Sequence, residues 1–283
     1  GDDPLPGRHL GLVTAVEHPD PEEAVQRAAS AVVDGVDLDR LLAAAQWAPE
    51  LELTPAEKSV EQVPVRIAYF EGEAFSFYYA ENLERLRAAG VELIPVDPAS
   101  AAALPQADGL YIGGGFPEVH AARLGANSTF AGSVRDRVDA GMPVFAECAG
   151  LMYLARELVV DGVAHPMAGV LDLVVEQRPT PQGHGYEVGV VDRENPFFAA
   201  GTRLVGHEFH YSRLINGSDR EQSVLRVERG TGIGNSRDGI TCGRVFASYL
   251  HLHAGATPGW ADGFLALASQ YATERGGSTA ACG

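Results

Sequence analysis

The chain has 283 residues, a formal net charge of −17, 33 glycines and three cysteines that lie far apart. The negative charge argues against a nucleic-acid or anionic-membrane partner, because either would need clustered Lys and Arg side chains. The odd cysteine count and the absence of a CxxC pair suggest neither a disulfide framework nor a structural zinc site, and we expect no metal.

The chain opens on the polar sequence GDDPLPGRHL, which does not resemble a signal peptide, and contains no run of about 18 apolar residues. We therefore expect a cytoplasmic protein. The first part is predicted to hold a strand and two helices, with Asp37 capping the second helix: HLGLVTAV (9–16), DPEEAVQRAASAVVDG (20–35) and VDLDRLLAAAQ (36–46). Residues 49–64 have three prolines and no sustained period, which predicts a linker. We place the domain boundary between residues 62 and 63.

Strands and helices then alternate regularly. The predicted strands are VRIAYF (65–70), VELIPV (91–96), DGLYIGGG (108–115) and PVFAEC (143–148), and the helices cover 76–90 and 130–141. This alternation predicts an α/β fold with a mostly parallel sheet and helices on both faces. From about residue 168 the segments become shorter and more β-like, before a strand at 244–253 and a closing helix at 259–274.

Cys148 lies between a buried strand and a helix-like run in PVFAECAGLMYL. Ligands of parallel sheets bind outside the carboxyl ends of the strands, where Cys148 and the triple glycine both lie. A helix N-terminus favours a thiolate, and the N–H of Ala149 is then free to bind an oxyanion. These features predict a nucleophile on a tight strand-to-helix turn. The alternative is a small buried hydrophobic residue, which this stretch alone does not exclude.

A thiol nucleophile needs a base, and SYLHLH offers His251 and His253. Residues two apart on a strand face the same side, so either histidine can approach Cys148 if their strand adjoins PVFAEC. The residues themselves do not choose between the two.

Three other motifs contain chemically useful residues. Gly113, Gly114 and Gly115 allow backbone N–H groups to turn toward a ligand, and GHEFHYS (206–212) forms either a substrate cleft or a satisfied polar strand. RGTGIG (229–234) is interpreted as a surface turn, because no GK[ST] follows it. The chain contains no Walker A sequence, which excludes ATP binding by a P-loop within it.

The motifs YIGGGFPE, FAECAGLMYL, GHEFHYS and SYLHLH, in this order and spacing, resemble the glutaminase part of cobyrinic acid a,c-diamide synthases. The resemblance covers residues 65 to about 260. The opening LPGRHLGLVTAVE and VDLDRLLAAA are similar to the end of that family's synthetase domain, so residues 1–62 are interpreted as its remnant plus a linker. Residues 63–283 are then the glutaminase domain.

The resemblance implies a class I glutamine amidotransferase fold in which glutamine is hydrolysed and ammonia passes to a synthetase domain. That domain, with its ATP and Mg²⁺, would lie upstream and would activate carboxylates of a corrin-type tetrapyrrole. By motif position Cys148 is the nucleophile and His251 the base. The resemblance also implies that seven further residues bind the oxyanion or the substrate: Gly113, Gly114, Gly115, Ala149, His207, Glu208 and His210.

The chain departs from the family pattern at two positions. Many class I glutaminases have a glutamate two residues after the catalytic histidine, where this chain has His253, a possible third member. Ala149 replaces the usual glycine after the cysteine. RGTGIGNSRDGI and LHLHAGATPGW also resemble relatives that amidate sirohaem or a nickel-containing macrocycle. An unrelated cysteine hydrolase and a catalytically silent binding domain remain alternative interpretations.

Overall fold

The computed structural model describes residues 7–8, 11–50, 62–216, 222–257 and 259–280, and divides into two compact units, Gly1–Val60 and Glu61–Gly283. The first unit contains a pair of two-residue antiparallel strands and two helices: β1 (Gly7–Arg8), β2 (Gly11–Leu12), α1 (Pro21–Gly35) and α2 (Leu38–Ala45). Asp20 and Asp37 cap these helices by accepting hydrogen bonds from the N–H groups of Glu23 and Arg40, as the sequence predicts for Asp37.

Of the described residues 11–16 in the predicted strand, only Gly11 and Leu12 form a strand, and most of the predicted linker lies outside the described residues.

The second unit contains sixteen strands and five helices among its described residues. The strands are β3 (Arg66–Phe70), β4 (Phe75–Phe77), β5 (Glu92–Val96), β6 (Gly109–Ile112), β7 (Gly114–Gly115), β8 (Val144–Glu147), β9 (Ala155–Val160), β10 (Val163–Pro166), β11 (Leu171–Gln177), β12 (Gly183–Val191), β13 (Arg203–His210), β14 (Ser212–Asn216), β15 (Ser223–Arg229), β16 (Arg237–Cys242), β17 (Val245–Ser248) and β18 (His251–Leu252). The helices are α3 (Ala80–Ala88), α4 (Ala121–Ala126), α5 (Ser128–Asp139), α6 (Ala149–Leu154) and α7 (Asp262–Ala280).

The main sheet has ten strands in the order β18-β13-β12-β15-β16-β17-β8-β6-β3-β5. Strands β17, β8, β6, β3 and β5 are parallel, and the remaining pairings are antiparallel. The parallel half is the part that the regular alternation predicts, and the antiparallel half corresponds to the β-like region after residue 168. The α/β fold class is therefore confirmed.

Helices cover both faces of the parallel half, as predicted. Alternate residues Leu110, Ile112, Val144, Ala146, Val245 and Ala247 join a core with side chains of α5 and α6. Their neighbours Tyr111, Phe145 and Phe246 lie on the opposite face, where Phe145 contacts Trp260 and Phe264. Period-two burial of this kind places one hydrophobic layer on each side of a parallel sheet.

Three predicted elements have different bounds in the structure. The helix predicted at 76–90 begins only at Ala80, because Phe75–Phe77 pairs instead with Gly114–Gly115 as a short antiparallel ribbon. The helix-like run after Cys148 forms only the six residues of α6, which is followed directly by strand β9. The strand predicted at 244–253 is interrupted between Ser248 and His251.

No helix in the described ranges is both long and apolar enough to cross a bilayer.

Candidate active site

Cys148 occupies the turn between β8 and α6 with φ at 49°, in the left-handed region that residues with a Cβ seldom adopt. Such backbone strain costs on the order of 1–3 kcal/mol and is typically found at functional sites. The turn is fixed by a 2.7 Å hydrogen bond from the Cys148 N–H to the carbonyl of Ser248. The predicted tight strand-to-helix turn is therefore present.

The electrostatic surroundings of the Cys148 thiol differ from the expectation. Burial raises the pKa of the thiol well above its usual range, and the nearby Glu118 carboxylate raises it further. The N–H of Ala149 hydrogen-bonds the sulfur and lowers the pKa, but not enough to compensate. The prediction of a favoured thiolate is thus wrong for the free protein, because a six-residue helix offsets neither burial nor carboxylate charge.

His251 lies on β18 and is buried, with 8% of its surface exposed. Strand β17, which precedes it, is parallel to and paired with β8, whereas β18 itself pairs with β13, so only the first part of the predicted strand adjoins the cysteine strand. Burial lowers the pKa of His251 to about 3, and electrostatic interactions with His207 and His210 contribute to this. The imidazole is therefore neutral near pH 7, which is the form that can accept a proton.

The orientation of the His251 ring is set by its neighbours. The ring stacks on His207 with a centroid separation of 4.7 Å and an interplanar angle of 9°. On another side it lies so close to Gly114 that a Cβ there would meet Cε1 at 2.6 Å. His207 is itself held by a 2.9 Å hydrogen bond between its Nδ1 and the Tyr79 hydroxyl.

His253 does not share the surroundings of His251. Strand β18 ends at Leu252, so His253 lies outside the strand and strand alternation does not place the two histidines on one face. The His253 ring packs edge-on against Tyr79 at 4.5 Å, its Nε2 is 3.7 Å from Glu81, and its Nδ1 accepts the N–H of Gly255. None of these contacts is with His251, but Tyr79 also hydrogen-bonds His207, which stacks on His251, and His253 as a possible third member stays a prediction.

The segment that carries His251 is held by two buried side chains that the sequence analysis missed. Glu147 accepts the N–H of Leu252 at 2.9 Å and the Tyr111 hydroxyl at 2.8 Å. Asn82 donates to the carbonyl of Leu252 and accepts the N–H of Ala254, both at 2.8 Å. Burial raises the pKa of Glu147 to about 7 despite these donors. A glutamate in the otherwise apolar strand PVFAEC was a signal for this role, whereas the helical sequence around Asn82 offers none.

Replacing Asn82 with alanine is expected to destabilise the fold by about 2–3 kcal/mol, because it leaves a buried N–H and a buried C=O unpaired. Urea unfolding of the N82A variant measures this change. Glu84→Ala, an exposed position on the same helix, is the matched control. An N82A midpoint equal to that of E84A would contradict the assigned role.

The triple glycine is required by close packing on three sides. A Cβ at Gly113 would meet the carbonyl of Phe77 at 2.7 Å, and one at Gly115 would meet the carbonyl of Ala74 at 2.1 Å. The Gly113 N–H already donates to the Tyr78 hydroxyl at 2.9 Å, so it is not available to an oxyanion. Among the predicted donors, Gly114, Gly115 and Ala149 remain candidates.

The polar strand GHEFHYS separates into two environments. His207 lines a cleft of about 470 Å³ whose other side chains include Tyr79, His184, Tyr186, Phe209 and His253. Glu208 also borders this cleft, but Glu208 and His210 are both buried, with His210 Nε2 3.3 Å from Glu208 Oε2. The interpretation as a substrate cleft thus fits His207, whereas Glu208 and His210 fit a satisfied polar strand.

The RGTGIG loop is not simply a surface turn. The N–H groups of Thr231 and Gly232 donate to the Glu208 carboxylate at 2.6 and 2.8 Å, and Gly232 is buried. Burial raises the pKa of Glu208, but hydrogen bonds from His210, Gly232 and Thr231 outweigh it and leave the pKa below its usual range. The loop therefore caps a buried carboxylate.

Alkylation of Cys148 tests the electrostatics of the site. Because the thiol pKa is raised, iodoacetamide should react slowly at pH 7 and faster as the pH rises beyond the usual thiol pKa of about 8.5. The measurement uses a Cys242→Ala background and mass spectrometry of the Cys148 peptide. A rate that is already maximal below pH 7 would indicate a preformed thiolate–imidazolium pair and contradict the prediction.

Within the described residues, no group of three or more His, Cys, Asp or Glu side chains is arranged to hold a metal ion.

Comparisons with known proteins identify the family and support the fold. The family model of the CobB/CobQ-like glutamine amidotransferase domain matches residues 66–258. A cobyrinate a,c-diamide synthase of Magnetococcus marinus is 40% identical over 92% of this chain and 57% of its own length, and one of Streptococcus sanguinis is 38% identical over 88% and 55%. The structure of PurLQS from Thermotoga maritima has a TM-score of 0.52 at 16% identity, covering 72% of this chain and 97% of that one, which supports the fold alone.

Proposed function

The chain belongs to the CobB/CobQ-like glutamine amidotransferase family, and from that premise we propose that it hydrolyses glutamine at Cys148 and delivers the ammonia to an amide-forming reaction. The observation that carries this proposal is the strained turn at Cys148, tied by backbone hydrogen bonding to the strand that leads to His251. His251, neutral and buried beside Gly114, is the candidate base.

In the proposed reaction the Cys148 sulfur attacks the side-chain amide carbon of glutamine while its proton moves to His251. The negative charge that forms on the amide oxygen is stabilised by backbone N–H groups, with Ala149 and either Gly114 or Gly115 as donors. His251 then returns the proton to the leaving nitrogen as the C–N bond breaks, which releases ammonia. Water hydrolyses the remaining thioester to glutamate and restores the thiol.

The protonation states of Cys148 and His251 determine when the proton moves in this reaction. Both Cys148 and His251 are neutral near pH 7, since burial raises one pKa and lowers the other. Proton transfer therefore accompanies attack on the substrate instead of preceding it. A neutral resting thiol is also less open to alkylation and oxidation when no glutamine is bound.

The names of the similar proteins support a proposal for the molecule that receives the ammonia. The chain spans just over half the length of the cobyrinate a,c-diamide synthases to which it is similar. We therefore assign it the glutaminase half of an enzyme that converts side-chain carboxylates of a corrin-type tetrapyrrole, such as cobyrinate, to amides. ATP and Mg²⁺ would be used by the synthetase part, which is the partner of this half.

The proposal is tested by incubating the chain with glutamine and measuring glutamate and ammonia. We expect slow turnover by the chain alone and faster turnover by the full-length protein given ATP, Mg²⁺ and cobyrinate, with amidated cobyrinate as product. If ammonia is released and cobyrinate is not amidated, but sirohaem or nickel-sirohydrochlorin is, then the substrate is another tetrapyrrole. Absence of glutaminase activity from the full-length protein would refute the proposal.

A further inference from the structure

Three carboxyl groups lie buried beneath the RGTGIG loop, and the proposed chemistry uses none of them. Glu187, Glu208 and Asp238 are each at most 1% exposed. The loop packs on them so closely that a Cβ at Gly230 would lie 2.8 Å from Glu208 Oε1 and 2.9 Å from Glu187 Cγ. A Cβ at Gly232 would lie 2.8 Å from Asp238 Cβ. Burying three acids is costly, so each needs a physical explanation.

Asp238 is bonded to the segment that connects the two catalytic candidates. Its carboxylate accepts the N–H of Tyr249, at 3.2 Å for Oδ1 and 3.1 Å for Oδ2, and the N–H of Leu250 at 3.2 Å. These two N–H groups belong to the interruption between β17 and β18, where no neighbouring strand pairs with them. The same interruption begins at Ser248, whose carbonyl accepts the N–H of Cys148. Asp238 therefore fixes the backbone between the nucleophile's anchor and His251.

Glu208 is stabilised as a carboxylate by other groups. It accepts two backbone N–H groups from the loop and lies 3.3 Å from His210 Nε2. His210 in turn hydrogen-bonds the Ser212 carbonyl at 2.7 Å and stacks on the Tyr249 ring with a centroid separation of 3.6 Å. The charge of Glu208 is thus compensated without involving the other two acids.

Glu187 has no such compensation. Within the described part of the chain neither of its carboxyl oxygens has a hydrogen bond of good geometry, although Asp238 is near enough to interact with a protonated Glu187. Burial raises the pKa of Glu187 strongly, and the charges of Asp238 and Glu208 raise it further. Burial also raises the pKa of Asp238, but backbone N–H groups and Glu187 act in the opposite direction. Two adjacent buried carboxyl groups cannot both ionise cheaply.

We infer that Glu187 and Asp238 form an acid pair that shares one proton, carried by Glu187, and that the Asp238 carboxylate is a positioning residue for Cys148 and His251. The inference rests on the proposed glutaminase function. Asp238 must remain ionised because it receives two backbone N–H groups, and Glu187 must remain protonated because it receives none. Asp238 supports the strand interruption through the N–H groups of Tyr249 and Leu250, and the proposed reaction gives neither acid a contact with substrate.

Substitutions at the two positions should therefore differ in effect. In Asp238→Asn, the amide NH₂ replaces an acceptor that faces backbone N–H groups, so the interruption loses part of its support. In Glu187→Gln, the amide NH₂ can donate to Asp238 as the protonated acid does, whereas Glu187→Leu removes that donor at similar volume. Glu194→Gln, an exposed carboxyl in the loop before β13, is the matched control.

The experiment measures kcat and KM for glutamine hydrolysis by the full-length protein, together with the rate at which 6-diazo-5-oxonorleucine labels Cys148 and the unfolding midpoint. We expect D238N and E187L to lose at least about tenfold in kcat and in labelling rate, with KM within about twofold of the original protein. E187Q and E194Q should stay within about threefold of the original protein in kcat. Because a loss of folded protein also lowers the apparent kcat at unchanged KM, the unfolding midpoint and the labelling rate of the folded fraction separate positioning from a general loss of folded protein.

The outcomes distinguish this inference from the proposed function. If the unsubstituted protein neither hydrolyses glutamine nor is labelled at Cys148, the proposed function fails. If it does both, but D238N matches it in kcat and labelling, the acid pair has no positioning role. If D238N does not fold, the comparison of E187Q with E187L decides: equal losses overturn the inference, and retention by E187Q alone supports it.

Discussion

Replacing Cys148 with alanine is expected to abolish glutamine hydrolysis, with a loss on the order of 10⁴-fold or more in kcat, as found when a nucleophile is removed from a catalytic pair. The physical reason is that no other group at this turn can form the covalent intermediate. Amidation by the full-length protein should persist when free ammonia replaces glutamine, because the synthetase part does not use the thiol. Glutamate release and amide formation, measured separately, test both statements.

Cys242 provides the matched control for this substitution. It is a free and exposed cysteine at the end of β16. Cys242→Ala should retain full glutaminase activity and full labelling at Cys148. Undiminished glutamine hydrolysis by C148A would remove Cys148 from the mechanism, whatever the behaviour of the control.

Adding one methyl group at Gly114 is expected to lower glutaminase turnover by about 10²-fold, because a displacement of about 1 Å in a catalytic group costs that much. A Cβ at this position would meet His251 Cε1 at 2.6 Å and Phe77 Cβ at 3.2 Å. The imidazole, stacked on His207 behind it, has little room to move away. Steady-state kinetics of Gly114→Ala with glutamine measures the effect.

Gly132→Ala is the control for the glycine substitution. Gly132 lies inside helix α5, and a Cβ there would make only an ordinary 3.7 Å contact with Arg135. This substitution should leave activity unchanged and stabilise the fold by about 0.5–1 kcal/mol. Normal turnover by G114A would show that glutamine hydrolysis does not depend on the position of the His251 ring.

The sequence predicts the parts of the site that depend on chain order. A buried strand followed at once by a helix places Cys148 at the strand's carboxyl end, whereas the parallel pairing of β17 with β8 joins distant segments and is only a condition in the sequence reasoning. The triple glycine is predicted to let backbone N–H groups turn toward a ligand, but the structure packs all three glycines against other parts of the chain and bonds the Gly113 N–H to Tyr78. The placement of Cys148 depends on local periodicity, which a single sequence displays directly.

What the sequence does not predict depends on contacts between distant segments. The interruption of the strand at Tyr249 and Leu250 depends on Asp238, whose carboxylate accepts the N–H groups of both residues. The raised pKa of Cys148 depends on burial and on Glu118, which is distant in sequence. The late start of helix α3 depends on pairing between Phe75–Phe77 and the glycines. None of these contacts leaves a periodic signal.

The hydrogen bonds made by Cys148 and its preceding residue have a consequence for how the protein moves. The N–H of Cys148 donates to the carbonyl of Ser248, and the Glu147 carboxylate accepts the N–H of Leu252, which follows His251. Two adjacent residues therefore hydrogen-bond both ends of the segment that carries His251. A motion that pulled sulfur and imidazole apart would have to break both attachments together. The sulfur and the imidazole should therefore move together when this part of the protein moves.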